Sequence, residues 1–123
     1  MSVDHVPILK LGACLIAAVQ DELTDTGWQN FQEDLLSRAG NNRSKGVIID
    51  VSAMDVMDSY ATRVLDGIAR MLLLRGAQTV IVGLQAEVAF SMAQLGLRLA
   101  SAGTALDLDE GLLEINRRIK HGS

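Results

Sequence analysis

The stretch that decides the fold is "VIIDVSAMDVMDSYATRVL", residues 47–65. Its start belongs to the run "GVIIDV" (46–51), which is apolar and β-branched on both faces, as is typical of a central parallel strand. A loop follows, and from Ser59 onward apolar residues recur at helical spacing. This order places residues 51–58 at the carboxyl end of a central strand.

Four further segments have the character of strands. The runs "PILKL" (7–11) and "CLIAAV" (14–19) flank Gly12–Ala13, which predicts a tight antiparallel hairpin. The run "QTVIVGL" (78–84) is a second candidate for a central parallel strand, and "ALDL" (105–108) is a weaker candidate for a short final strand. Together with residues 46–51, these segments predict a sheet of four to five strands.

Helical patterns fill the intervals between the strands. They run from Thr24 to about Ala39 with stop signals at Asn41–Asn42, from Ser59 to Arg75 with Gly76 at C′, from Gln85 to about Leu95, and from about Glu110 to Lys120. Their apolar faces consist of Trp28, Phe31, Leu35 and Leu36; Ala61, Val64, Leu65, Ile68, Met71 and Leu72; Val88, Ala89 and Met92; and Leu112, Ile115 and Ile119. We predict an α/β fold in a single domain, residues 1–123, with a mixed, mostly parallel sheet, an N-terminal antiparallel hairpin and about four helices.

The charge of the chain limits the classes of partner. The 123 residues are 49% hydrophobic, which is enough for a core, and they carry a formal net charge of −4. Nucleic acids and anionic membranes require a basic face, so neither is expected as a partner. The cluster Arg117, Arg118 and Lys120 is interpreted as cations at a helix C-terminus.

The N-terminal region has no basic segment ahead of a long apolar stretch, so it does not resemble a secretory signal. The apolar run from Cys14 to Val19 is far too short to span a bilayer. We therefore expect a cytoplasmic protein. Cys14 has no partner for an internal disulfide and is interpreted as an inert core thiol.

Ser59 has the strongest case for a function. It lies where a central strand has ended and a helix begins, and partners of α/β sheets bind at the carboxyl ends of strands. Backbone N–H groups and the helix dipole at that point would stabilise a phosphate on the serine hydroxyl. Asp58 and Ser59 are also favoured N-cap residues, so from this pair alone a structural cap is the simpler interpretation.

The loop in front of Ser59 contains an unusual number of bulky apolar residues: Met54, Val56, Met57 and Tyr60. Some of them must lie under the loop, and those that remain exposed would form a surface for binding a partner. Asp55 and Asp58 border this surface with negative charge. A phosphate would add about −1.5 to −2 charge there, which favours a switchable docking surface.

Enzymatic alternatives find less support. Asp50, Asp55 and Asp58 offer oxygen ligands for Mg²⁺, but no Gly-rich phosphate loop accompanies them. A receiver-like phospho-aspartate domain would use Asp50 with the acidic pair Asp21–Glu22, yet "VIVGLQAEV" lacks the lysine that such a domain needs.

A serine hydrolase is also disfavoured. His5 and His121 lie at the two ends of the sequence, and no G-x-S-x-G motif surrounds Ser59. No His/Cys set has metal-ligand spacing. We therefore predict no catalytic residue, no cofactor and no metal.

The stretch 47–65 resembles the signature of STAS domains, the fold of bacterial anti-anti-sigma factors, and the predicted order of elements matches that fold along nearly the whole chain. The fragments "VPILKL", "CLIAAVQ", "FQEDLL", "GVIID", "MDSYATRVL" and "TALDLDEGL" resemble more narrowly the single-domain stressosome scaffold of the RsbS type. In this family the serine after the aspartate at the helix start is reversibly phosphorylated, which corresponds to Ser59 here.

The resemblance also implies partners. Scaffolds of this type form large cytoplasmic complexes with RsbR-like paralogues that carry sensor domains. These complexes sequester an RsbT-like serine/threonine kinase, which phosphorylates the scaffold serine and leaves, and a PP2C-type phosphatase resets the scaffold. The implied function is a non-catalytic, homo-oligomeric phospho-switch in a stress-signalling pathway of the sigma-factor type.

Our hypothesis assigns the phosphate to Ser59 and partner binding to Met54, Asp55, Val56, Met57, Asp58 and Tyr60, with Arg63 placed to neutralise part of the new charge. Two residues bear on the alternatives. Many anti-anti-sigma factors have Gly where this chain has Ala61, which disfavours the alternative of a free anti-anti-sigma factor that binds an anti-sigma kinase. Ser91 matches a second phosphorylated position of the sensor paralogues, but its place in the middle of a helix indicates a structural role.

Overall fold

Strands and helices alternate along the chain with short connections. The structure, a computed structural model, describes residues 6–20 and 22–121, and within these ranges the chain forms five strands and four helices. The strands are β1 (Ile8–Leu11), β2 (Cys14–Ala18), β3 (Gly46–Asp50), β4 (Gln78–Val82) and β5 (Gly103–Ala105). The helices are α1 (Asp25–Asn42), α2 (Ser59–Leu74), α3 (Ala86–Gln94) and α4 (Leu108–His121).

The strands lie in one sheet in the order β1-β2-β3-β4-β5. β1 pairs antiparallel with β2, and all later pairs are parallel. Gly12 has a φ of +60° at the first central position of the hairpin turn, as in turns of type II′. The predicted mixed, mostly parallel sheet with an N-terminal hairpin is confirmed.

Each face of the sheet has its own hydrophobic cluster. Helices α1, α2 and α3 cover one face, and α4 covers the other. β3 contributes to both clusters, since Val47 and Ile49 belong to the first while Ile48 belongs to the second with Ile115 of α4. A strand buried on both faces explains why residues 46–50 show no polar alternation.

Two predicted element boundaries are wrong. α1 continues through Asn41 and Asn42, because the Asn42 side chain donates to the carbonyl of Arg38 (2.9 Å) inside the last turn; the helix ends at Arg43, whose φ is +51°. The final strand is residues 103–105 and not 105–108. Asp107 accepts a hydrogen bond from the Glu110 amide (2.9 Å), which draws the residues after it into α4.

Two smaller expectations also fail. β4 ends at Val82, because Gly83 has a φ of +83° and leaves the extended conformation. Ala89 is exposed, since Val88 and Met92, one turn apart, make the core contact of the short helix α3.

Candidate functional site

The β3–α2 loop, residues 51–58, leaves the carboxyl end of β3 in a fixed path. The Val51 amide donates to the carbonyl of Val82 (3.0 Å), and the Met54 amide donates back to the carbonyl of Val51 (3.0 Å). The Asp50 carboxylate accepts the Ser52 amide (2.9 Å), which is the local bond of an Asx-turn. Asp50 therefore has a structural role at the first bend of the loop.

The segment that follows β4 supports the loop from the side. A Cβ at Gly83 would lie 2.7 Å from the Cβ of Ser52, so only glycine permits this close approach. The Gln85 side-chain amide donates to the carbonyl of Ser52 (2.9 Å) and lies 3.4 Å from the carbonyl of Met54. The loop is thus held at its first half by residues next to α3.

At the second half of the loop, Asp58 alone is the N-cap of α2. Its Oδ1 accepts the Ala61 amide (2.8 Å), and its carbonyl accepts the Thr62 hydroxyl (2.8 Å). Ser59 is the first helical residue, its side chain is exposed, and its hydroxyl bonds to no other residue that the structure describes. The backbone N–H groups of Ser59 and Tyr60 are left without intrahelical acceptors. The hydroxyl therefore sits beside two free backbone donors.

The structure divides the predicted partner-binding residues into two groups. Val56 (57% exposed), Tyr60 (38% exposed) and the side chains of Asp55, Asp58 and Arg63 lie at the surface. Met54 and Met57 are only 3% and 4% exposed and belong to the core cluster with Trp28. Their assignment to the docking surface is corrected, because these flexible side chains fill the space beneath the loop.

A shallow pocket of about 140 Å³ opens beside Ser59, between the starts of α1 and α2. Sequence reasoning missed the residues that α1 and the segment before it contribute. The order of the strands could have predicted them, because β2 and β3 are parallel and the residues that follow them therefore lie at the same edge of the sheet. The lining residues are Glu22, Leu23, Asp25, Trp28, Met54, Val56, Asp58, Tyr60 and Ala61.

The structure bears on several alternative functions: a metal site, a receiver domain, a hydrolase, a second phosphorylated serine and a membrane span. Among the described residues no group of three or more His, Cys, Asp or Glu side chains is arranged to hold a metal ion. Asp21 and His5, on which the receiver and hydrolase alternatives depended, lie outside the described residues. Ser91 is exposed on α3, where its carbonyl accepts the Leu95 amide (3.1 Å). In residues 6–20 and 22–121, no helix has the length and apolarity needed to cross a membrane.

Two of the three cations at the end of α4 share one acidic partner on the same helix. Glu114 accepts hydrogen bonds from Arg117 (2.6 Å) and Arg118 (2.7 Å), which lower the pKa of its carboxyl to about 2. Burial raises the pKa of the Cys14 thiol, in keeping with an unreactive core cysteine.

The mixed sheet and the capped helix after β3 define an α/β domain whose exposed Ser59 lies at the carboxyl end of a central strand. The sequence matches the STAS domain over residues 5–110, and the chain belongs to that family. RsbS of Moorella thermoacetica, in a variant with one serine replaced by glutamate, is 36% identical with a TM-score of 0.80, covering 94% of this chain and 97% of that one. A chain from the stressosome, a signal integration and transduction hub, is 35% identical with a TM-score of 0.73, covering 90% and 96%.

A curated relative is larger. RsbT co-antagonist protein RsbRA of Bacillus subtilis (strain 168) is 26% identical over 84 residues, which make up 68% of this chain but only 31% of that protein. The chain therefore spans about a third of that relative. The anti-sigma factor antagonist SpoIIAA in its unphosphorylated form shares the fold at 12% identity, with a TM-score of 0.68.

Proposed function

We propose that this chain is a non-catalytic scaffold subunit of a bacterial stressosome. In this role it binds an RsbT-like serine/threonine kinase in the cytoplasm and releases it when Ser59 is phosphorylated, which controls a stress pathway of the sigma-factor type. RsbR-like paralogues would complete the particle, and a PP2C-type phosphatase would remove the phosphate. The proposal rests on the similarity to RsbS over 94% of the chain, combined with the geometry of Ser59.

The observation that supports this proposal most directly is that Asp58, and not Ser59, caps α2. Asp58 satisfies the Ala61 amide, so Ser59 is not needed as a cap and its exposed hydroxyl is available to a kinase. A phosphate on Ser59 would meet the two free backbone donors of the first turn and the positive end of the α2 dipole. The modification therefore does not require α2 to unfold.

The same phosphate changes the docking surface sharply. It adds about −1.5 to −2 charge next to the exposed Asp55 and Asp58. Arg63 lies one helical turn beyond Ser59 and pairs with no acidic residue that the structure describes, so it is available to the phosphate. Its single positive charge offsets only part of the added negative charge. A kinase surface suited to the unmodified loop would then be repelled.

The acceptor is tested by incubating the protein with its cognate kinase, ATP and magnesium and mapping the phosphate by mass spectrometry. We expect Ser59→Ala to abolish incorporation. Ser91→Ala, which removes another exposed serine on a helix, should leave incorporation unchanged. Equal phosphate on Ser59→Ala and the wild type would refute the acceptor assignment.

The release step is tested separately with the assembled scaffold. Kinase retention on an immobilised complex should fall after phosphorylation and should persist when Ser59→Ala replaces the wild type. Undiminished retention after complete phosphorylation would overturn the release step and leave the acceptor assignment intact.

The assembly step distinguishes the scaffold from a free anti-anti-sigma factor. Mixed with an RsbR-like paralogue, the chain should elute in a very large particle during size-exclusion chromatography. Elution as a small protein, together with binding to an anti-sigma kinase, would favour the free factor.

A further inference from the structure

A basic cavity lies at the end of the domain opposite to Ser59. It has a volume of about 230 Å³ and opens between the C-terminal ends of α1 and α2 and the N-terminal ends of β3 and β4. Ser59 begins α2 and the cavity lies at the C-terminal end of the same helix, so the length of α2 separates the two positions. The lining residues are Ala39, Gly40, Arg43, Ser44, Lys45, Leu72, Arg75, Gly76 and Ala77.

The charge in this cavity is all of one sign. Arg43, Lys45 and Arg75 line it, and no described carboxylate does. None of these three side chains forms a salt bridge within the described residues, whereas Arg38 and Arg70 pair with acids on their own helices. Three cationic residues without a salt-bridge partner among the described residues therefore line one cavity, in a chain whose net charge is −4.

Helix C-termini attract cations even without a ligand, because the negative end of the helix dipole lies there. Several carbonyls at the two helix ends have backbone partners. The carbonyls of Ala39 and Gly40 accept the amides of Ser44 and Arg43, and the carbonyl of Leu72 accepts the Arg75 and Ala77 amides. Among the described residues, these carbonyls accept no hydrogen bond from the side chains of Arg43, Lys45 or Arg75, which remain available to an incoming anion.

The backbone at Arg43 gives a second, independent argument. Its φ of +51° lies in the left-handed region, where it is the one non-glycine residue with positive φ among those described. Helices that end this way usually have glycine at this position, and an L-residue is strained there. The chain nevertheless has an arginine at this strained position, and this arginine lines the cavity.

Gly40 shapes the opposite wall. A Cβ at this position would lie 3.1 Å from Nη1 of Arg75, so the absence of a side chain leaves room for the second guanidinium. Ser44, which is buried, also lines the cavity. Guanidinium groups bind phosphate oxygens through paired hydrogen bonds, with Lys45 as an added point charge.

We infer that this cavity is a binding site for a small phosphorylated molecule, held through a phosphate or pyrophosphate group by Arg43, Lys45 and Arg75. The volume of about 230 Å³ accommodates such a group. The site lies at the opposite end of α2 from Ser59 and does not depend on the function proposed above. It would make the domain responsive to the level of a phosphorylated metabolite.

The test is an NMR titration of the whole chain with inorganic pyrophosphate at low ionic strength. We expect saturable shifts confined to the amides of residues 39–45 and 72–77, and weaker shifts with inorganic phosphate. Arg75→Gln should weaken binding about ten-fold or more, as expected when a charged hydrogen-bond donor is lost. Arg63→Gln, on the same helix but at its other end, should bind as the wild type does.

Arg43→Gly separates binding from folding. It removes one cation and also relieves the backbone strain, so we expect weaker pyrophosphate binding with an unchanged or higher melting temperature. The inference is overturned if pyrophosphate produces no saturable shift, or if Arg63→Gln weakens binding as much as Arg75→Gln does. It is also overturned if a glutamate-rich peptide binds this face while pyrophosphate does not, because the site would then serve an acidic protein partner.

Discussion

Thr79 on β4 tests whether a buried hydroxyl without a hydrogen-bond partner lowers the stability of the domain. It is 2% exposed and faces the cluster covered by α1, α2 and α3, opposite Val47 of β3. Its hydroxyl is the one buried side-chain oxygen or nitrogen without a hydrogen-bond partner among the described residues. We predict that Thr79→Val, which replaces this hydroxyl by a methyl of similar size, stabilises the domain.

The magnitude follows from the cost of an unpaired buried hydroxyl. Mutational data place this cost at about 1–3 kcal/mol, and the new methyl adds apolar burial beside Val47. Part of the gain is offset by imperfect packing, so we expect the free energy of unfolding to rise by about 1–2 kcal/mol. With a urea m-value of roughly 2 kcal/mol/M, the midpoint moves upward by about 0.5–1 M.

The assay is urea denaturation followed by circular dichroism, with Thr62→Val as the matched control. Thr62 is also buried (3% exposed), but its hydroxyl donates to the carbonyl of Asp58 (2.8 Å), so the same substitution should lower stability by about 0.5–1 kcal/mol. A Thr79→Val midpoint at or below the wild-type value, with an unchanged m-value, would refute the reasoning. It would mean that the hydroxyl has a partner after all.

Three further predictions concern the cap, the helix packing and acid stability. Asp58→Ala should cost about 1 kcal/mol in thermal denaturation, because the cap bond to the first turn of α2 is lost, and Asp58→Asn should retain most of the stability; equal losses would argue against capping. Gly111→Ala should destabilise by roughly 1–3 kcal/mol, because the new Cβ would lie 2.5 Å from a methyl of Val82, whereas Gly67→Ala, with open space around it, should stabilise by about 0.5–1 kcal/mol; a stabilised Gly111→Ala would contradict the packing. The pKa of Glu114 is lowered from 4.5 to about 2, so its ionised form stabilises the fold above pH 4.5, and this contribution disappears as the pH falls through about 2. Glu114→Gln should therefore flatten the acid limb of a stability–pH curve, and an unchanged limb would show that the surface ion pairs contribute nothing.

Much of the fold could be predicted from the sequence because its signals were local. The two central strands were apolar on both faces, and Gly12 and Gly76 marked turns that the structure confirms with positive φ values. The errors arose where side chains override a pattern. Asn42 bonds within the helix it was expected to end, and Asp107 caps a helix inside a run that alternates like a strand.

The candidate site was predictable only in part. The position of Ser59 at the start of α2 follows from the order strand, loop, helix. The division of the loop side chains into buried and exposed does not follow from that order, because Met54 and Met57 are buried in a cluster that includes residues distant in sequence, such as Trp28. The basic cavity was missed for the same reason, since Arg43 and Arg75 are brought together only when α1 and α2 end side by side.

The contact between Gly83, Gln85 and the first half of the β3–α2 loop has a mechanical consequence. Gln85 is also the N-cap residue of α3, so the same residue begins one helix and holds the loop that leads to another. A displacement of α3, for example by pressure on its exposed Phe90, would pull on the carbonyl of Ser52. The position of the loop that leads to Ser59 would then depend on a force applied to a different helix from the one that Ser59 begins.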